Sequence, residues 1–357
     1  MRGIGPFRKW PFALHLGVCA LSVFTFSAAL ACSTVVFRNQ QVPLLAYNFD
    51  FEATDAGFLL INPSGASKRS VMDGNPASWS SRFGSVTVNQ IGPGMPAAGM
   101  NSKGLVVSLM WNEEADYARH NSAPVLSELE FIQRLLDTSG SVTEALSWID
   151  EVSIQGFVPI HYFLFDASGD AAILTPGEAK LIVHRGEDLP VPVLTNTSYQ
   201  KALEHLKKPS GSGVKSGDRG SLARFRIAAT ALQASVEVNS SQAFDVLEDL
   251  ATSSTRWRIV FNPVDKQINL RIGSAAESLT LDLTATDFSC QRRPHGANLR
   301  TVSANLSASA LAPIDQRELA DTMSEVLLSM KATAHLGRPE VTAGLSAGLL
   351  ASSVCAP

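Results

Sequence analysis

The chain has 357 residues, of which 45% are hydrophobic and 17% are charged, and its formal net charge is −4 at pH 7. This composition is typical of a globular protein with a large core and excludes a disordered chain. No cluster of basic residues interleaved with aromatic ones is present, so nucleic acid is not expected as a partner.

The first 31 residues have the layout of a secretory signal peptide. Residues 1–12 carry three basic side chains and no acidic one, residues 13–28 are almost wholly apolar, and Ala29 and Ala31 are small residues ahead of Cys32. The pattern predicts cleavage after Ala31 and export to the periplasm or the extracellular space.

Two alternatives to a cleaved signal peptide stay open. One is an uncleaved membrane anchor, since the apolar run approaches the length of a short span. The other is a lipoprotein, although such signals usually have Leu where Ala29 stands. No later segment is long and apolar enough to span a bilayer, so no stable membrane span is expected after processing.

Cleavage would leave three cysteines, Cys32, Cys290 and Cys355. In an oxidising compartment an odd number implies one unpaired thiol. The simplest partition pairs Cys290 with Cys355, which staples the C-terminal tail, and leaves Cys32 free. The alternative is that all three are buried thiols.

The first half of the mature chain consists mainly of short apolar runs separated by turn residues, which predicts strands. We expect these strands at 33–38, 44–49, 57–62, 85–90 and 104–111. Two segments with helical spacing follow at 127–137 and 142–152. A hairpin is then predicted at 161–175, with further strands at 179–185 and 191–196.

The second half contains separate blocks of helices and strands. Helices are predicted at 198–208, 222–233, 241–251 and 315–335, strands at 256–262, 267–272 and 278–284, a Ser- and Gly-rich loop at 209–221, and weak order at 338–357. Because strands and helices come in blocks and do not alternate strictly, the pattern predicts an α+β fold of stacked antiparallel sheets covered by helices. Residues 32–357 are expected to form one large domain.

Cys32 is the candidate nucleophile. A cysteine with an ordinary pKa near 8.5 is only a few per cent thiolate at neutral pH, so it needs a base nearby. If Cys32 is the first residue of the mature chain, its own α-amino group, with an ordinary pKa of about 7.7–8.0, can be that base. Such chemistry requires no histidine, metal or other cofactor, and none is expected.

An acceptor must hold that amine, and Asp50 is the candidate. The short turn between the strands at 33–38 and 44–49 predicts a hairpin, which would return Asp50 to the side of Cys32 if the register allows it. The alternative is that Asp50 ends a strand at the surface.

Five segments carry a family resemblance in chain order. They are the Cys-Ser-Thr opening at 32–34 followed by Asn-Phe-Asp at 48–50, GMNSKGLVVSLMW (99–111), VLTNTSY (193–199), GDRGSLARF (217–225) and TRWRIVFN (255–262). Together they resemble the choloylglycine hydrolase family of N-terminal-nucleophile amidases, which includes bile salt hydrolases and penicillin V acylases. The resemblance covers about residues 32–272 and implies a four-layer αββα fold. Residues 290–357 form a C-terminal extension without an assigned counterpart.

The resemblance also implies catalytic roles. Cys32 would be the nucleophile, Asp50 the partner of its amine, Asn196 a side-chain donor in the oxyanion hole, and Arg224 a cation that lowers the pKa of the thiol. Taken alone, Asn196 is equally typical of a turn at a strand end, and Arg224 of a solvated helix.

The second oxyanion donor falls at Trp111 or Asn112, between which the sequence does not choose. Trp111 could instead line an acyl pocket or belong to the core. Tyr47 stands where bile salt hydrolases carry an Arg three residues before the aspartate, so one cation of that pattern is missing. Tyr47 and Asn48 are therefore kept as candidate substrate-binding or oxyanion residues.

The predicted function is hydrolysis of the linear amide C–N bond of an N-acyl substrate with a hydrophobic acyl group. Conjugated bile acids, phenoxyacetyl penicillins and acylated homoserine lactones all fit this description. Such a small molecule is the expected partner, and homo-oligomerisation is left open. The alternatives are a membrane-tethered binding lipoprotein lipidated at Cys32, and an inactive member of the fold, to which Tyr47 is the best pointer.

Overall fold

The computed structural model describes residues 31–38, 41–117, 122–178, 180–209, 220–234, 237–290, 294–302, 311–351 and 353–355. The predicted signal peptide, apart from Ala31, and most of the predicted loop at 209–221 lie outside the described residues. Among the helices within these ranges, none is both long and apolar enough to cross a bilayer.

The strands of the described chain are short, and many follow one another through tight turns. They are β1 (Ser33–Phe37), β2 (Leu44–Asp50), β3 (Phe58–Asn62), β4 (Ala66–Arg69), β5 (Ser78–Ser80), β6 (Ser85–Asn89), β7 (Ala98–Asn101), β8 (Val106–Trp111), β9 (Val125–Ser127), β10 (Ser153–Gln155), β11 (Ile160–Phe165), β12 (Ala171–Pro176), β13 (Leu181–Arg185), β14 (Val193–Leu194), β15 (Thr255–Asn262), β16 (Gln267–Ile272), β17 (Leu279–Asp282), β18 (His295–Asn298), β19 (Ala312–Pro313) and β20 (Ser353–Cys355).

Helices separate the blocks of strands. They are α1 (Glu128–Thr138), α2 (Val142–Leu146), α3 (Tyr199–Leu206), α4 (Ser221–Ala234), α5 (Ser240–Leu250), α6 (Gln316–Ser329) and α7 (Pro339–Ala351), with 3-10 turns at Ile149–Glu151, Gly186–Asp188 and Ala334–Leu336. Ser127 starts α1 through a reciprocal capping box with Glu130. Asn239 starts α5 in the same way with Gln242. These caps satisfy backbone N–H groups that the first turn of a helix leaves without partners.

Two antiparallel sheets form the centre of the molecule. The six-stranded sheet has the order β14–β1–β2–β15–β16–β17, and the nine-stranded sheet has the order β13–β12–β11–β8–β7–β6–β3–β18–β19. Every residue of β1 and β2 is buried. Strands covered on both faces have no solvent side, which explains why apolar residues point to both faces of these strands.

The two sheets pack face to face, and helices cover their outer faces. Thr34 Oγ1 of β1 lies 2.9 Å from Ser108 Oγ of β8, and Tyr47 Oη donates to the Leu109 carbonyl at 3.0 Å. Helices α4 and α5 pack on the six-stranded sheet, and α1 packs on β7 and β8 of the other sheet. The predicted four-layer αββα architecture is confirmed.

The C-terminal extension is integrated into this architecture. Strand β18 pairs with β3 in the nine-stranded sheet, and α6 packs against α7. Phe58 and Leu60 of β3 share an apolar cluster with Leu319 and Met323 of α6 and with Leu349 of α7. Strand β20 pairs with β4.

The predicted partition of the cysteines is confirmed. A disulfide joins Cys290 to Cys355 with a Cα–Cα distance of 5.4 Å, within the range that disulfides require. Cys32 is a free, buried thiol.

Two predictions about the helices were wrong. The segment 338–357, predicted to be weakly ordered, contains α7 and β20. Its glycine- and alanine-rich sequence has no clear amphipathic pattern, and packing against α6 compensates for this weak local signal. The helix predicted at 142–152 ends at Leu146 and is followed by a separate 3-10 turn.

Gly57 permits a close approach between the two sheets. A Cβ at this position would lie 2.5 Å from Trp257 Cζ2 and 2.9 Å from the Asn89 carbonyl oxygen. Trp257 stacks on Phe49 of β2 with ring centroids 4.4 Å apart, so it has little freedom to move away. Because Phe49 is next to Asp50, this packing also positions the end of β2.

We predict that Gly57→Ala lowers the free energy of unfolding by about 1–3 kcal/mol, the usual range for overpacking a core. Chemical denaturation would measure the change. Gly344→Ala is the matched control, because Gly344 lies inside α7 with nothing within 4 Å of an added Cβ. Alanine there should stabilise the protein by about 0.5–1 kcal/mol, and equal losses in the two variants would contradict the packing argument.

Candidate active site

Cys32 lies directly before β1, at the end of a β-hairpin. In the β1–β2 register Ser33 is opposite Asn48, so the chain at Cys32 faces the end of β2. The Cys32 thiol donates to the Asp50 carbonyl oxygen at 3.8 Å, and Cys32 is fully buried. The structure therefore confirms the predicted hairpin, which brings Asp50 to the side of Cys32.

Asp50 is held from the opposite side by the central strand of the six-stranded sheet. Thr255, at the start of β15, pairs with Asp50 and donates its Oγ1 hydrogen to Asp50 Oδ1. The other carboxylate oxygen, Oδ2, is buried and has no hydrogen-bond partner among the described residues. Burial raises the pKa of Asp50 to about 6, against the opposing effects of the Thr255 hydrogen bond and the charge of Arg224. Asp50 is thus buried and does not end a strand at the surface.

Arg224 reaches the site from α4. Its Nε donates to Ser33 Oγ at 3.1 Å, and its Nη2 donates to Asn196 Oδ1 at 2.6 Å. Arg224 is 2% exposed, so it is not a solvated helix residue. Burial lowers its pKa, and the negative charge of Asp50 opposes that effect.

Asn196 follows β14 and joins Arg224 to the end of β8. Its Oδ1 accepts from Arg224, and its Nδ2 donates to the Trp111 carbonyl at 3.1 Å. An amide nitrogen carries two hydrogens, so Nδ2 retains a second one for another acceptor. The arrangement fixes the direction of an N–H donor near the cysteine strand.

The two candidates for the second oxyanion donor differ in what they already bind. The backbone N–H of Asn112 donates to the Pro159 carbonyl at 2.9 Å. Its side-chain Nδ2 is buried and has no hydrogen-bond partner in the described chain. Trp111 is only half-buried and ends β8, so it is not part of the core.

Tyr47 and Asn48 face opposite sides of β2, as neighbours on a strand must. The buried Tyr47 hydroxyl contacts the Cys32 thiol as well as the Leu109 carbonyl. Asn48 instead donates to the Leu247 carbonyl of α5 at 2.8 Å. The structure therefore brings Tyr47, but not Asn48, into contact with the cysteine side chain.

The thiol is neutral in this arrangement. Burial, followed by the negative charge of Asp50, raises the pKa of Cys32 to about 12. A backbone hydrogen bond at Asp50, a hydrogen bond with Tyr47 and the charge of Arg224 lower it by less. Cys32 preceded by Ala31 is accordingly a poor nucleophile at neutral pH.

Three residues of the site were not singled out from the sequence. Ser33 connects Arg224 to β1, and Thr255 binds Asp50. His161 is buried, and its Nε2 lies 2.7 Å from the carbonyl oxygen of Thr195, the residue before Asn196. Burial lowers the pKa of His161 to about 4, so it is a neutral positioning group. Ser33 and Thr255 lie in the quoted motifs, but no pattern in the sequence identifies their partners.

Asp50 should reduce stability at high pH in the protein that still carries Ala31. Its folded pKa of about 6 is above the ordinary value of 3.8, so folding favours the protonated form. The stability contributed by that form is complete below about pH 4 and is lost as the pH rises through about 6. We predict that Asp50→Asn changes the free energy of unfolding more favourably at pH 8 than at pH 4. The change relative to the unmodified chain should be about 1–3 kcal/mol larger at pH 8.

Chemical denaturation at the two pH values measures this difference. Asp150→Asn controls for the loss of a carboxylate, because Asp150 is exposed. If Asp50→Asn has the same effect at pH 4 and pH 8, Asp50 does not have the raised pKa on which the electrostatic description of the site depends.

Comparison with known proteins identifies relatives of this chain. Residues 32–219 match the family of linear amide C–N hydrolases known as the choloylglycine hydrolase family. The chain is similar to a penicillin V acylase from Pectobacterium atrosepticum, with 26% identity over 204 residues that cover 50% of this chain and 54% of that protein. The match thus spans about half the length of that relative.

Solved structures show the same fold. A penicillin V acylase from Agrobacterium tumefaciens superposes with a TM-score of 0.66 at 22% identity, covering 80% of this chain and 98% of the other. A variant of conjugated bile acid hydrolase from Clostridium perfringens gives 0.61 at 15% identity, covering 75% and 96%. The family match extends over more than half of the sequence, and the chain belongs to the choloylglycine hydrolase family of linear amide C–N hydrolases.

Proposed function

We propose that this protein hydrolyses the linear amide bond of an N-acyl substrate with an apolar acyl group, using Cys32 as the nucleophile once cleavage after Ala31 has freed its α-amine. The observation that carries the proposal is the buried Asp50 Oδ2, which has no hydrogen-bond partner in the described chain. It belongs to the residue whose backbone carbonyl accepts from the Cys32 thiol and whose charge raises the pKa of that thiol. A buried carboxylate oxygen without a donor is costly, and an ammonium or amine N–H would satisfy it.

Cleavage would also supply the missing base. Among the described residues, the hydrogen-bond partners of the Cys32 thiol are the backbone of Asp50 and the Tyr47 phenol, neither of which is a base at neutral pH. An α-ammonium beside the sulfur and Asp50 adds a positive charge, which lowers the pKa of the thiol. An α-amine with an ordinary pKa of about 7.7–8.0 can then take and return the proton near neutral pH.

The remaining residues suit acyl transfer. The Cys32 sulfur forms a bond to the substrate carbonyl carbon, and the negative charge that develops on oxygen is stabilised by the Asn196 Nδ2–H. The Asn112 Nδ2, which has no partner in the described chain, is the better candidate for the second donor, because the Asn112 backbone N–H is already used. The C–N bond then breaks as the α-ammonium gives its proton to the leaving amine. Water aided by the same amine cleaves the thioester, which releases the acid and restores the thiol.

Arg224 would supply a fixed positive charge near the Cys32 thiol. It holds Ser33 and Asn196 at once and is buried beside the negative charges of the site. A guanidinium remains charged even when buried, so it favours the thiolate over the thiol. Tyr47 provides a neutral hydroxyl where bile salt hydrolases have a second cation, which favours an uncharged acyl group near the sulfur.

Export is part of the proposal. The layout of residues 1–31 supports it, and so does the Cys290–Cys355 disulfide, because such bonds persist in oxidising compartments. Two relatives are named for penicillin V and for conjugated bile acids. For this chain we propose only the chemistry that such substrates share, an N-acyl amide with an apolar acyl group.

A lipid anchor at Cys32 fits less well. Cys32 is fully buried, and β1 begins at the next residue, so no tether separates the thiol from the sheet. Diacylation would place two hydrocarbon chains on a sulfur that is packed against the end of β2. The buried thiol therefore favours an amidase over a lipid-anchored binding protein.

Activity should depend on the free α-amine. A protein cut by a site-specific protease so that it begins at Cys32 should hydrolyse an N-acyl amide, whereas a matched protein that keeps Ala31 should be at least about 10³-fold slower, because it lacks the base. Intact mass identifies the two forms, and product formation gives the rate. Cys32→Ala in the cut form should be inactive but folded. Equal rates with and without Ala31 would eliminate the amine as base.

Asn196 should act mainly on the transition state. We predict that Asn196→Ala lowers kcat by about 10²–10³-fold with little change in KM, as expected for an oxyanion donor. Asn75→Ala is the matched control, because within the described chain the Asn75 side chain donates only to the Ser122 carbonyl, at an exposed position. A rise in KM with unchanged kcat would show that Asn196 binds substrate and does not stabilise the transition state.

A further inference from the structure

A cavity of about 410 Å³ lies where the ends of the sheets meet the C-terminal helices. One part of its wall comes from the family core and includes Phe49, Met95 and Leu109. The opposite part comes from the extension and includes Met323 and Leu327 of α6 and Leu349 of α7. These helices lie beyond residue 219, where the family match ends.

We propose that this cavity binds the flexible hydrocarbon chain of the substrate's acyl group, and that α6 and α7 set the chain length it accepts. The identity of the substrate rests on the proposed function, whereas the existence of a hydrocarbon site does not.

The cavity is adjacent to the catalytic cluster. Phe49 immediately precedes Asp50, whose carbonyl accepts from the Cys32 thiol. Leu109, on the other side, accepts a hydrogen bond from Tyr47, and the Tyr47 hydroxyl also contacts Cys32. An acyl group whose carbonyl reaches the sulfur can therefore extend its chain toward these two walls.

The lining is suited to a flexible apolar chain. Methionine and leucine dominate the helix side, and methionine adapts its shape to irregular or mobile ligands. A cavity of about 150 Å³ with comparable lining admits a benzene ring, so this larger one has room for a chain of many carbons. Phe157, 44% exposed, adds an apolar surface at its edge.

The wall also contains a buried acid, Glu128. Its Oε1 accepts the backbone N–H of Val158 at 3.2 Å, whereas Oε2 is buried and has no hydrogen-bond partner in the described chain. Burial raises the pKa of Glu128 to about 7, so near neutral pH it is partly protonated. This environment admits a neutral hydrocarbon and disfavours a chain that ends in a carboxylate.

The helix wall is anchored at several points. Arg300 donates to Asp55 at 2.7 Å and to Glu325 of α6 at 2.9 Å, which ties the helix to the loop after β2. Beyond α7, β20 pairs with β4, and Cys355 is bonded to Cys290. The position of the two helices is therefore fixed by the fold, as a site that measures chain length requires.

Filling the cavity from its helix side tests the proposal. Met330, which follows α6, lines the cavity and is only half-buried, so Met330→Trp adds bulk there with little risk to folding. Leu328→Trp is the matched control, because Leu328 lies two residues away, is 53% exposed and does not line the cavity. Thermal unfolding checks both variants, and Leu345→Phe replaces Met330→Trp if the latter does not fold.

The assay uses one amine acylated with butanoyl, octanoyl and dodecanoyl groups. In the unmodified protein kcat/KM should rise by up to about fourfold for each methylene that is buried. Met330→Trp should lower kcat/KM for the dodecanoyl amide at least about tenfold and change the butanoyl amide less than about twofold. Leu328→Trp should match the unmodified protein. Hydrolysis that is indifferent to chain length and to Met330→Trp would overturn the proposal while leaving the amidase function intact.

A binding measurement separates the two conclusions. Titration of the Cys32→Ala variant with 1-octanol in a calorimeter should show binding with a negative heat-capacity change, which marks burial of apolar surface. Adding Met330→Trp should abolish that binding, and adding Leu328→Trp should preserve it. This pattern would support the hydrocarbon site even if no amide were hydrolysed, whereas an absence of 1-octanol binding would contradict it.

Discussion

A carboxylate and a thiol buried side by side form the constraint on which the rest of the site depends. Burial raises the pKa of Asp50 to about 6 and of Cys32 to about 12, and the negative charge of Asp50 contributes to the raised pKa of the thiol. A nearby cation lowers the pKa of both groups, because it stabilises their charged forms. Arg224 supplies one from α4, and the buried Oδ2 of Asp50 is the place where the α-ammonium of a processed chain would supply another.

The αββα architecture brings this cluster together from distant parts of the chain. The β1–β2 hairpin joins Cys32 to Asp50, and β15 holds Asp50 from its other side through Thr255. Helix α4 brings Arg224 from the outer layer, and the end of β14 brings Asn196. Because the site lies at the end of the two sheets, a helix pair added at the C terminus can line a cavity beside it without changing the catalytic core.

The parts of the site that could be predicted are those with a local signal. A short turn between two apolar runs was enough to place Asp50 beside Cys32. The positions of Asn196 and Arg224 required a family resemblance, because isolated polar residues of these types have many uses. Thr255 and His161 had no usable signal, since their contacts depend on strand order and on packing between residues far apart in sequence. Helix α7 was missed because its stability comes from packing with α6.

The pH dependence of Cys32 alkylation by iodoacetamide tests the central claim most directly. It would be measured in the protein that begins at Cys32 and in the protein that keeps Ala31. The account predicts a thiol pKa close to 12 when Ala31 is present. When the α-amine is free, it predicts a value at or below that of an ordinary cysteine, about 8.5, because a nearby cation favours the thiolate. The same pH dependence in both proteins would show that the amine does not activate the cysteine, and it would contradict the account.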